Sequence, residues 1–331
     1  MFRKDPEDFI VNERLIFEPD GNGEHVYLQI KKRNTNTQWL AKQLAIFSGI
    51  KQRDVSYAGL KDRNAVTTQW FSLLLQPDKE PDWSILKLED VEIITRSRHR
   101  CKLRPGMVKI NQFTITLRNV DCCKALLDER ISLIKKYGVP NYYGEQRFGH
   151  DGENVQNAVS MLKGDLRIKD RKLKGIYLSA ARSYLFNKVL KERVSTGTWD
   201  KAMNGDCMML DGTNSFFKSS EIDEALIDRL SAFDIHPTAP LWGRGESPAS
   251  SAVKILEENI LAEEQLIRVG LEKMNMKHDR RSLRMRASEL IYDDSVSEIV
   301  KLSFELNSGQ YATTLLHEIF TWDTVRNLQV H

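Results

Sequence analysis

Cysteine is scarce in this chain of 331 residues, and the four present, Cys101, Cys122, Cys123 and Cys207, show neither the paired short spacing of a zinc site nor the pattern of a secreted disulfide scaffold. They are read as reduced thiols. The seven histidines fall without an HxxxH or HExxH spacing, so no metallohydrolase motif is visible. Glycine-rich phosphate cradles are missing too: GRGESPAS at 243–250 carries a lone GxG with no Lys-Ser/Thr ending and no buried strand before it. That argues against a nucleotide-cofactor enzyme such as a methyltransferase. The opening MFRKDPEDFIVNE has no apolar run that could serve as a signal peptide or anchor, so a cytoplasmic protein is expected, with no membrane partner. Internal repeats and low-complexity tracts are lacking as well.

What is present suits a globular protein with a sizeable core: 41% hydrophobic and 29% charged residues over a length that fits two domains. The net charge of +3 is too mild to demand nucleic acid. Local clustering says more. RSRHRCKLRPGMVK, residues 96–109, carries Arg96, Arg98, Arg100, Lys102, Arg104 and Lys109 with no acid, which makes a basic loop a candidate phosphate contact, although a solvated sheet edge explains it almost as well. Basic residues interleaved with aromatics recur at 142–148 and 177–193, as in proteins that stack irregular RNA, while burial statistics favour simple packing for any single ring.

Alternation of Val26, Leu28 and Ile30 predicts a strand. Trp39, Leu40, Gln43, Leu44 and Phe47 predict a helix behind a Thr37 cap, closed by Gly49. Then come an extended piece at 55–58, a turn at 59–64, a strand over Gln69–Leu75 and another through Phe113, Ile115 and Leu117. From Gly138 the texture shifts to a Gly/Asn/aromatic loop followed by long helical patterns. Pro237, Pro240, Gly243, Gly245 and Pro248 mark a second loop-rich break, and AVKILEENILAEEQLIRVGLEKM after it reads as one amphipathic helix. The end reads as strand, turn at Ser308 and Gly309, and helix.

SYAGLKDRNAVTTQW places Asp62 between Lys61 and Arg63 in a glycine-started turn linking two strands. Flanking cations favour an ionised carboxylate, suited to a nucleophile rather than a proton donor. Such a triplet is far more often a solvated ion cluster, and spacing alone does not decide between them.

Taken together, YAGLKDRNAVTTQWFSL and GVPNYYGEQRFG closely resemble the two signature stretches of the tRNA pseudouridine synthase D (TruD) family. The resemblance continues through PEDFIVNE, FEPDGNGEHVYLQI, RHRCKLRPGMVKINQFTITLR, IYLSAARSYLFNKVL and SGQYATTLLHEI, essentially the whole chain. It implies an isomerase that converts a uridine of tRNA, typically uridine 13 in the D arm, to pseudouridine, with no metal and no organic cofactor. Asp62 falls on the catalytic aspartate. The target nucleotide is flipped out, and the carboxylate either adds to C1′ or removes the C2′ proton. By the same similarity, Phe9 and Asn111 fall on active-site positions, Asn111 as a candidate hydrogen-bond partner of Asp62, and Phe113 falls on the aromatic that stacks on the flipped base.

Three positions depart from the pattern. Arg3 stands where a lysine is common, Tyr311 where a phenylalanine is frequent, and Asn64 where a histidine is often seen. The family fold implies an α+β pseudouridine synthase core, a largely antiparallel sheet flanked by helices, formed by residues 1–137 and 286–331. An inserted α/β TRUD domain is expected at 138–285, with RNA in a basic cleft between the two and the chain acting as a monomer. The competing expectation is a relative that binds or remodels RNA without chemistry.

Overall fold

The computed structural model describes residues 3–120, 123–219 and 221–320. In chain order the elements begin with β1 (Phe9–Leu15), β2 (His25–Arg33), α1 (Thr37–Phe47), β3 (Val55–Ser56), β4 (Val66–Leu74), β5 (Val91–His99) and β6 (Val108–Arg118). They continue through α2 (Lys124–Tyr137), β7 (Val139–Pro140), α3 (Glu153–Lys163), α4 (Arg171–Ser195), β8 (Cys207–Leu210), β9 (Phe216–Lys218), α5 (Glu224–Ser231) and β10 (Ile235–Leu241). The last are α6 (Ser251–Ile260), α7 (Gln265–Lys273), β11 (Asp279–Ser282), β12 (Arg284–Met285), β13 (Ser288–Asp293), β14 (Ile299–Asn307) and α8 (Ala312–Ile319). No helix among the described residues is long and apolar enough to cross a membrane.

The fold is α+β. The elements gather into two compact units, one from the described residues up to Asp128 with Ala287–Gly309 and Phe320, the other from Glu129–Arg286 and Gln310–Ile319. In the first, the strands order as β13-β14-β6-β1-β4-β2-β5, with β3 added beside β4. All neighbours are antiparallel except β1 and β4. Val26, Leu28 and Ile30 of β2 and Phe71 and Leu73 of β4 face Leu40, Ala41, Leu44 and Ala45 of α1, closing one buried core. The opposite face carries a smaller cluster of Tyr27, Trp70 and Leu103.

Two expectations change here. Asn36, not Thr37, caps α1, its side chain accepting from the backbone N–H groups of Gln38 and Trp39; the Thr37 hydroxyl has a tertiary role instead. The basic stretch is not a loop throughout: Arg96 and Arg98 lie in β5 and both pair with Glu80, and Arg100 pairs with Asp20. Acids distant in sequence thus neutralise much of a run that looks unopposed locally.

The second unit holds a four-stranded antiparallel sheet, β11-β10-β8-β9, and a core in which α3, α4 and α7 bury Met161, Leu185, Phe186, Leu190, Ile267 and Leu271. The proline-rich break is in fact strand β10. It pairs with β8 over Ile235–Pro237 and then with β11 over Thr238–Leu241, so neither flanking ladder runs its whole length. The long amphipathic pattern is two helices, α6 and α7, parted by a turn at Ala262–Glu264. Glu264 in that turn receives Lys188 and the Tyr184 hydroxyl, while Leu261 beside it is fully buried. Positions 253, 257, 260, 264, 267 and 271 keep heptad spacing across the turn, so periodicity could not reveal it. Among the described cysteines, Cys101, Cys123 and Cys207 are free thiols; Cys122 lies outside the described residues.

Candidate active site

Cross-strand register builds the floor of the site in the first unit. Phe304, Phe113, Val11, Thr67 and Lys32 stand opposite one another in turn across five strands, and so share one face of the sheet. The adjoining row holds Leu306, Asn111 and Glu13. On this face the Phe113 ring stacks on Phe304, with centroids 5.2 Å apart, and meets the edge of Phe9 at 5.9 Å. Phe113 keeps 9% exposure, the other two 2% each.

The turn bearing Asp62 is fastened above the same face at several points. The Thr37 hydroxyl accepts from the Lys61 backbone N–H at 3.1 Å and bonds to Gln69 Oε1, while Gln69 Nε2 donates to the Gly59 carbonyl at 2.6 Å. Lys61 Nζ pairs at 2.6 Å with Glu13, a fully buried carboxylate whose other oxygen accepts from Trp70 N–H. Lys32 Nζ donates to the Thr35 carbonyl at 2.7 Å and to the Asp62 carbonyl at 3.4 Å. Burial of that ammonium lowers its pKa to about 8, against the opposing pull of the Asp62 and Glu13 charges. The backbone of the turn is therefore over-determined, while its one carboxylate faces outward.

Arg3 holds that carboxylate: its Nη2 lies 3.1 Å from Asp62 Oδ2, and its guanidinium sits 3.8 Å above the Phe9 ring. Asp62 keeps 33% side-chain exposure, enough for a substrate to reach it. The Asn111 bond to Asp62 is not made. Asn111 faces Glu13 across the strands, its Oδ1 is buried without a partner, and Arg3 takes the carboxylate.

Arg3, Phe9, Asp62, Asn111 and Phe113 thus all belong to the first unit. Lys32, Glu13, Gln69 and Phe304 are the contributions that sequence reading missed, and Thr37 was read only as a cap; for Lys32, Glu13 and Gln69 the signal available was polar residues at inward positions of otherwise apolar strands. Tyr311 belongs to the second unit, where its hydroxyl accepts from Arg147 Nε and Nη2 at 3.2 and 3.0 Å and its ring meets Tyr143 edge-on. Arg147 also donates to Ser179, and Asn187 fastens the backbone of Tyr143 on both its N–H and carbonyl. The hydroxyl that Tyr311 adds therefore anchors the guanidinium of the GEQRFG loop.

A family model described as tRNA pseudouridine synthase D (TruD) matches residues 1–167 and 152–319. The chain belongs to the tRNA pseudouridine synthase D family. A tRNA pseudouridine synthase D from Nitrosococcus oceani is 46% identical over 321 residues, covering 96% of this chain and 90% of that one. One from Methylococcus capsulatus is 43% identical, covering 97% and 91%. A crystal structure described as tRNA pseudouridine synthase D from Methanosarcina mazei superposes with a TM-score of 0.72 at 21% identity, covering 98% of this chain and 94% of that one, and so shares the fold of this TruD-family chain.

Proposed function

We propose that this chain converts a uridine of tRNA to pseudouridine, at uridine 13 of the D arm, with Asp62 as the nucleophile. One observation carries the reading: a partly exposed carboxylate, held by a guanidinium and mounted on a rigid turn, stands over an aromatic floor. The family membership and the names of the relatives supply the substrate class. Residues 1–137 with 286–331 form the catalytic part and 138–285 the insertion, the chain acting as a monomer in the cytoplasm.

The reaction is an isomerisation and balances without a co-reactant. The C1′–N1 bond breaks, the uracil turns while held, and a C5–C1′ bond forms; the proton leaving C5 is matched by one gained at N1. The Asp62 carboxylate acts at the sugar, adding to C1′ or taking the C2′ proton, and each route needs it ionised and aimed. Arg3 orients it and lies where it can meet the phosphate of the flipped nucleotide. Phe113, backed by Phe304 and Phe9, offers ring surface to the extruded base, and Asn111 offers its amide. By the family resemblance Tyr311 is a substrate-binding position, and its hydroxyl accepts from Arg147.

Incubating tRNA with the wild-type protein and mapping pseudouridine by chemical labelling tests the reading. Pseudouridine is expected at one D-arm uridine, and its loss in Asp62→Asn with tRNA affinity retained identifies the nucleophile. A protein that binds tRNA yet forms no pseudouridine would instead be an RNA-binding relative without chemistry.

A further inference from the structure

Lys32 is a fully buried ammonium on a strand of the catalytic face, an expensive placement unless the charge is used. It is set into the backbone of the Asp62 turn, through the carbonyl of Asp62 itself, and is not part of the surface that a substrate would meet. Its other bond, to the Thr35 carbonyl, fixes the start of the segment leading into α1, whose Thr37 hydroxyl holds the Lys61 end of the same turn. One amine therefore ties both walls of the loop to β2.

We propose that Lys32 is a positioning residue for the isomerisation: in its charged form it holds the Asp62 carbonyl and offsets the nearby carboxylate, and its deprotonation disables Asp62 without unfolding the protein. The inference rests on the reading of Asp62 as the nucleophile.

The groups facing the ammonium are all on other elements. Asp62 in the turn and Glu13 of β1 favour its charge, and Lys61 in the turn opposes it. Its chain neighbours point to the other side of the strand, Lys31 being exposed and Arg33 paired with Glu7 and Asp90. Because desolvation outweighs the two carboxylates, this lysine loses its charge near pH 8, far below an exposed lysine. Loss of the charge leaves a neutral amine that still donates, but its bonds to the Thr35 and Asp62 carbonyls weaken and the attraction that holds the nearby carboxylate is removed. Displacement of a catalytic group by about 1 Å costs on the order of 100-fold in rate.

Single-turnover rates of pseudouridine formation on tRNA, measured from neutral pH to well above 8, test this directly. The wild-type rate is expected to fall as the pH passes about 8. Lys32→Arg, whose guanidinium stays charged, moves that fall to higher pH. Lys32→Met is slower by about 10- to 100-fold at neutral pH and loses the alkaline fall, while tRNA affinity stays within about twofold. A wild-type rate that is flat through pH 8, or an alkaline fall at the same pH in Lys32→Arg, overturns the proposal, and these two measurements decide it even if the Met variant does not fold. Asp62→Asn separates the two failures. If that variant still isomerises uridine, or the wild type forms no pseudouridine, the reading of the site falls and Lys32 with it; if Asp62 behaves as the nucleophile and the Lys32 profiles do not shift, the positioning role alone is wrong.

Discussion

Arg3 lies 3.1 Å from the Asp62 carboxylate and 3.8 Å above the Phe9 ring, so one guanidinium joins a residue near the start of the chain to a turn 59 positions away. The planar group satisfies both contacts at once, donating in its plane and stacking on its face, which an ammonium does with less geometric definition.

Removing that guanidinium is expected to slow catalysis by about tenfold or more, because the carboxylate then turns freely and loses its orientation. Arg3→Lys should restore part of the rate and Arg3→Ala none of it. Single-turnover kinetics on tRNA, with affinity measured separately, check the prediction; a wild-type rate in Arg3→Ala would show that Arg3 does not aim Asp62.

Phe304 backs the Phe113 ring and is almost wholly buried. Phe304→Ala is expected to cost about 3–5 kcal/mol of stability through lost burial and the cavity it leaves. Urea unfolding measures this. Phe304→Leu, which keeps most of the volume, should cost much less, and a loss of activity in that variant at unchanged stability would show that the flat ring itself supports Phe113.

Tyr311→Phe removes the acceptor that Arg147 uses for two of its donors. Arg147 keeps its bond to Ser179 and its place near the Tyr143 ring, so the expected loss is about 1 kcal/mol rather than collapse of the loop. Denaturant unfolding of the variant checks it, and Arg147→Ala should be the more damaging of the two.

His278 packs beside Trp242 with both ring nitrogens buried and unpartnered, and burial lowers its pKa to about 4 from 6.5. A depressed histidine pKa means that the unfolded chain takes up the proton first. Stability from this group is complete above pH 6.5 and is lost as the pH falls toward 4. The loss is on the order of 3 kcal/mol at most, since each pKa unit corresponds to about 1.36 kcal/mol. Unfolding midpoints followed across that window in the wild type and in His278→Leu test it: the variant should show a shallower decline on acidification.

Much of the fold could be read locally. Alternation placed β2 and the strand through Phe113, helical spacing placed α1 and α4, and the Ser308–Gly309 turn between β14 and α8 stands where its residues indicate. The failures have a common origin. Thr37 has the chemistry of a helix cap, but a neighbouring Asn36 took that role and left the hydroxyl to Gln69 and Lys61. Pro237 and Pro240 signal a loop until the exchange of partner strands along β10 is known. The basic run at 96–104 looked unopposed because Glu80 and Asp20 lie elsewhere in the sequence.

The order of residues alone determined strand β2, helix α1 and the strand through Phe113, and that Asp62 sits in a turn between two strands, because side-chain periodicity and turn chemistry act over a few residues. Only the tertiary structure decided that Arg3 reaches Asp62, that Glu13 and Lys32 lie beneath the same turn, and that Phe304 supports Phe113. Those relationships arise from strand order and register, which bring together side chains far apart in the chain and leave no trace in local spacing.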